Sequence, residues 1–127
     1  METNYQSLQN LSVDLDRELA LCEDALKGDA HTLSLLKNDV LTFNRAWVSF
    51  ASTSVMQHQF LTLKNIVANN DRKMAENFIR FTIYQLEQFT CPENLNSNSD
   101  ESTGDIILDG RITLYKVFKR FLSYFEN

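Results

Sequence analysis

Residues 4–27 read NYQSLQNLSVDLDRELALCEDALK, and the spacing of their apolar positions decides the fold class. Leu8, Leu11, Leu15, Leu19, Cys22 and Leu26 fall within an arc of about 80° at helical pitch, the narrow seam of a helix meeting one neighbour. Equivalent positions recur eleven residues apart, so little left-handed supercoiling is expected. Gly28 offers a C-terminal cap for this helix and Asp29 an N-cap for the next.

Working outward, the same periodicity predicts a second helix over 30–51, with Leu33, Leu36, Val40, Phe43, Trp47, Phe50 and Ala51 on its face. Ser52-Thr53-Ser54 competes for backbone hydrogen bonds and predicts a break or kink. A third helix, 53–69, carries Met56, Phe60, Leu63, Ile66 and Val67 and ends at Asn69-Asn70. The fourth, 71–90, stops before Cys91-Pro92, because the residue preceding proline is pushed out of the helical region. Its charges occupy a stripe only about 60° wide, so it reads as the central helix. Residues 92–106 are polar and aperiodic, a mobile acidic loop. Asp109 then caps a last helix, 109–126, with Ile106, Ile107 and Leu108 before it as a hydrophobic staple. The expectation is an all-α, up-and-down bundle of four to five helices, one domain spanning 1–127.

Composition agrees. The 127-residue chain is 43% hydrophobic and 23% charged, which excludes wholesale disorder, and three Gly and one Pro argue against a many-turned β fold. The longest apolar run is Leu19–Cys22, far short of a membrane span. Met1–Gln6 shows no basic-then-apolar leader pattern, so the expected location is intracellular, cytoplasmic or nuclear, with Cys22 and Cys91 reduced. Net charge is −5, which disfavours nucleic acid as a partner. The basic end, with Lys116, Lys119 and Arg120 against Tyr115, Phe118, Phe121 and Phe125, has its bases opposite its aromatics, as any amphipathic core helix does.

Chemistry-bearing patterns are few. The residues three before His31 and His58 are Gly28 and Val55, so the Glu-x-x-His pairs of a di-metal bundle are absent. An EF-hand reading of Asn96, Asn98 and Asp100 fails at Glu101, where Gly is required, and at Ile107, where Glu is required. No Gly-x-Ser-x-Gly turn or phosphate-cradling glycine loop occurs. Cys22 lies on a core seam, and Cys91 has no base nearby in sequence. No catalysis, metal or cofactor is expected. Ala30-His31-Thr32-Leu33 resembles the start of the histidine-phosphotransfer signature; that family places Lys-Gly next, where this chain has Ser34-Leu35. The resemblance spans four residues and implies, as an alternative function, a signalling domain with His31 as phosphoacceptor. A helical-bundle secreted effector is the other alternative.

The aromatic surplus sets the main expectation. Fourteen aromatics, nine of them Phe, and wide apolar arcs on the last two predicted helices exceed what so small a bundle can bury. A non-catalytic interaction protein follows: a small regulator, adaptor or assembly subunit that binds a partner protein or a second copy, a dimer being the expected oligomer. The expected anchors are Trp47, Phe50, Tyr115, Phe118, Phe121 and Phe125. Lys37 and Asn44 interrupt the apolar arc of the second helix and would act as polar register keys. Ser97 and Ser102, each with an acid three residues on, are the candidate phosphosites.

Overall fold

The computed structural model describes residues 2–36, 38–96 and 102–126. The chain is all-α, with helices α1 (Glu2–Leu35), α2 (Val40–Ala68), α3 (Arg72–Phe89), α4 (Pro92–Leu95) and α5 (Ile106–Ser123). Cross-helix partners fix the direction of each. Asp29 accepts from Ser49 and Asp16 pairs with Lys64, so α1 and α2 are antiparallel. Phe60 stacks on Phe118, and Gly110 abuts Ser52, so α5 runs parallel to α2. Tyr115 donates to Glu87, and Arg72 lies over Phe125, so α3 opposes α5. The result is an up-down-up-down bundle in which α4 is one short turn between the third and fourth long helices.

Several local expectations are corrected. The first helix does not stop at Gly28 but continues to Leu35. A helical glycine costs only about 1 kcal/mol relative to Ala, which a packed partner helix outweighs. Asp29 is not a cap either; its carboxylate receives the Ser49 hydroxyl at 2.9 Å across the hairpin. Asp39 caps α2 instead, accepting from Thr42 N at 3.1 Å. The predicted helices 30–51 and 53–69 are replaced by the unbroken α2. Ser52-Thr53-Ser54 does not break it, because Ser52 faces Gly110 at a close approach of α2 and α5; a Cβ there would sit 2.5 Å from the Ser52 hydroxyl. Small side chains serve that contact. The last helix begins at Ile106, not Asp109. Asp105 is its N-cap, accepting from Ile107 N and Leu108 N at 3.0 and 3.1 Å, so Ile106–Leu108 form its first turn rather than a staple.

The expected fourth helix coincides with α3, capped by Asp71, which accepts from Met74 N. It is not central. Ala75, Ile79, Thr82 and Ile83 are buried while Met74, Phe81, Tyr84 and Phe89 face solvent, because α3 packs mainly on α5 and α2. The central helix is α5. Phe118 and Phe121 are fully buried against Phe60, with Phe78 on Phe118.

One polar network joins α1 to the end of α5. Asp14, 3% exposed, accepts Arg120 Nε and Nη2 at 2.7 and 2.8 Å, Arg17 Nη2 at 2.6 Å and the Tyr124 hydroxyl at 2.8 Å. Arg120 also donates to Glu18 at 2.7 Å. Burial alone would raise the Asp14 pKa; the hydrogen bonds from Arg120 and Tyr124 and the charge of Arg120 outweigh it and hold the carboxyl below its ordinary value. The same contacts raise the pKa of Arg120, the bond to Asp14 foremost.

Helix lengths position the surface. At about 1.5 Å per residue α1 and α2 are some 51 and 44 Å long against about 27 Å for α3 and α5. The α1–α2 hairpin therefore extends past the other two, and the N-terminal half of α2 loses its cover. Among the described residues no helix is long and apolar enough to cross a membrane.

Candidate functional site

From Val40 to Leu63, α2 carries one formally charged side chain, Arg45, and no acid. A helix so uniformly uncharged ordinarily lies buried. Here α1 covers one side and α5 part of another, and the rest is open. Leu41, Val48 and Val55 recur at intervals of seven, as do Val40 and Trp47, so they form one apolar stripe along α2. Val40 is 71% exposed, Trp47 54% and Val55 62%.

The stripe runs into a groove against α5. Trp47, Val48, Ala51, Ser52, Val55 and Met56 from α2 face Ile107, Gly110, Arg111 and Leu114 from α5 around an open volume of about 450 Å³. Gly110 sets its depth, because the missing Cβ lets the two helices meet at Ser52. Trp47 forms one wall, stacked on Phe50 with centroids 5.8 Å apart and planes 11° off parallel. Arg111 is the only ionisable residue in the lining, and it donates to the Phe89 carbonyl at 3.0 Å. Most of the described lining is apolar, a surface suited to apolar side chains.

The expected anchors divide. Trp47 lines the groove and Phe50 is half-buried behind it. Tyr115, Phe118, Phe121 and Phe125 are buried in the core, which corrects their assignment as docking anchors. The α5 arc is wide because α2 and α3 pack on it from two directions, and a core side chain offers nothing to a partner. Asn44 is exposed within the stripe; Lys37 lies outside the described residues, as does Ser97. Ser102 is exposed, and its hydroxyl donates to Asp109 at 2.5 Å, while Thr103 N donates to the same carboxylate. The Ser102 bond and those from Thr103 hold the Asp109 pKa below its usual value. His31 is exposed, four residues before the end of α1 rather than at the start of a helix. Cys22 is buried and Cys91 exposed. Among the described residues no three His, Cys, Asp or Glu side chains converge as metal ligands.

Sequence reasoning missed Val40, Leu41, Val55, Ile107 and Gly110. Two signals were available: the seven-residue recurrence, and the near-absence of charge over residues 40–63. Periodicity cannot say which apolar arc a neighbour covers, so the same pattern read as core. A second bare stripe, Met74, Phe81 and Tyr84 on α3, is flanked by Lys73, Arg80 and Glu87.

No family model matches this chain, and no curated protein or solved structure does either.

Proposed function

We propose that this chain is a non-catalytic protein–protein interaction module whose working surface is the apolar stripe of α2 and its groove with α5. One observation carries the reading: the N-terminal half of α2, nearly devoid of charge, stands half-exposed beside a groove walled by Trp47 and floored at Gly110. Exposed contiguous apolar surface of this extent marks a site that another surface covers. An exposed Trp backed by a second aromatic is the type of anchor on which binding energy concentrates. The α3 stripe is less suited, since charged side chains border it. Regulator, adaptor or assembly subunit are the roles such a module fills.

Site-specific photocrosslinking in the native cell tests this. A photoreactive residue at Val55 should give one discrete crosslinked product, and the same residue at the exposed acidic position Asp24 should not. Equal, diffuse labelling from both positions would show that nothing specific covers the groove.

A further inference from the structure

We infer that the partner covering the α2 stripe is a second copy of this chain, docked about a two-fold axis that passes beside Asn44. The inference rests on the reading of that stripe as the interaction surface. Three observations select the occupant. First, between Val40 and Val55 α2 carries no acid, and its single charge, the exposed Arg45, lies about 100° around the helix from Asn44, so two copies meeting about Asn44 do not bring like charges onto the axis. The protein as a whole carries −5, and α1 alone has seven acids against two bases up to residue 30. Like-charged molecules avoid each other over most of their surface. The uncharged stripe is where self-approach costs least.

Second, Asn44 is the exposed polar side chain set among Val40, Leu41, Trp47, Val48, Ala51 and Val55, with Ser52 and Ser54 half-buried at the edges. A carboxamide both donates and accepts. Across a two-fold axis each residue meets its own image, so an amide is satisfied by a second amide, whereas a carboxylate or an ammonium is not. One buried Asn in an otherwise apolar helical seam is a device for fixing register between helices. Third, the size fits. The exposed parts of Val40, Leu41, Trp47, Val55 and Ile107 amount to roughly 600 Å², and Asn44, Ala51 and the groove rim bring this close to the ~800 Å² that each partner gives to a standard interface. A face centred on one helix suits an isologous pair.

Sedimentation equilibrium on the full chain tests the inference, with charge exchange at Asn44. The wild-type chain should be a dimer with a dissociation constant at or below the micromolar range. Asn44→Asp and Asn44→Lys should each be folded by circular dichroism, since residue 44 is exposed in the protomer, and each should dissociate at least about 30-fold more readily. Mixing the two variants should restore a dimer, because the image of Asp is then Lys. Val55→Glu provides an independent variant expected to be monomeric. A wild-type chain monomeric to about 100 µM would overturn the inference. So would a dimer indifferent to both Asn44 charges, or a mixture that does not re-associate. A monomer that still crosslinks from Val55 to a different protein overturns only the identity of the partner. A monomer with no crosslink removes the interaction surface as well.

Discussion

Replacing Arg120 by Met should destabilise this protein more than deleting the whole ion pair does. Asp14 is 3% exposed and receives two hydrogen bonds from Arg120, one from Arg17 and one from Tyr124. Arg120→Met removes both of its bonds to Asp14 and its bond to Glu18, and leaves the Asp14 carboxylate in a dry site. Removing one partner of a buried pair costs about 3–5 kcal/mol. Arg17 and Tyr124 remain, and Arg120 is itself 39% exposed, so the loss falls below that range, to about 2–3 kcal/mol. Tyr124→Phe should cost about 1.5 kcal/mol, one hydrogen bond to a charged acceptor. The double variant Asp14→Leu with Arg120→Met leaves no buried charge at position 14, so it should recover about 1–2 kcal/mol relative to Arg120→Met alone. Urea denaturation followed at 222 nm reads all four proteins. A double variant no more stable than Arg120→Met alone, or an Arg120→Met cost below about 1 kcal/mol, would refute the argument that Arg120 neutralises a desolvated carboxylate.

Other outcomes follow from the same geometry. Asp14 titrates below its ordinary value in the folded chain, so on acidification the unfolded chain takes up the proton first; stability should be level above about pH 5 and fall progressively below pH 4, and Asp14→Asn should flatten that limb in urea titrations at several pH values. Tyr124 is shifted upward, by burial first and then by its bond to Asp14, so its ionisation should appear late in a spectrophotometric titration, with stability falling as pH rises through that point. Of the two thiols, Cys91 should react with a disulfide reagent at once, and Cys22, buried and raised in pKa by desolvation and then by Glu18, only as the chain unfolds; two fast thiols would place the α1 seam in solvent. Gly110→Ala should be close to neutral alone, because the gain in helix propensity is offset by the approach to Ser52, but in a Ser52→Ala background it should stabilise by up to about 1 kcal/mol. Strictly additive effects would mean that the two helices do not touch there.

How far the sequence determined the outcome varies with the element. The all-α class was legible because period 3.6 runs through nearly the whole chain, and because helix stops such as Cys91-Pro92 act through local sterics. Leu8, Leu11, Leu15 and Cys22 were readable as core since one narrow arc admits one neighbour. Gly28 and Ser52-Thr53-Ser54 misled for a common reason. Each carries a local preference of about 1 kcal/mol or less, which cross-helix packing reverses and no local window contains. Asp14 and Arg120 stand 106 residues apart, and nothing in the neighbourhood of either names the other. Tertiary structure alone decided which apolar arc became core. Two helices close on α5 and bury Phe118 and Phe121, while the longer α1–α2 hairpin outruns its neighbours and leaves Val40, Trp47 and Val55 bare. Apolar periodicity says that a face must be covered; only the lengths and crossings of the other helices say whether this chain covers it.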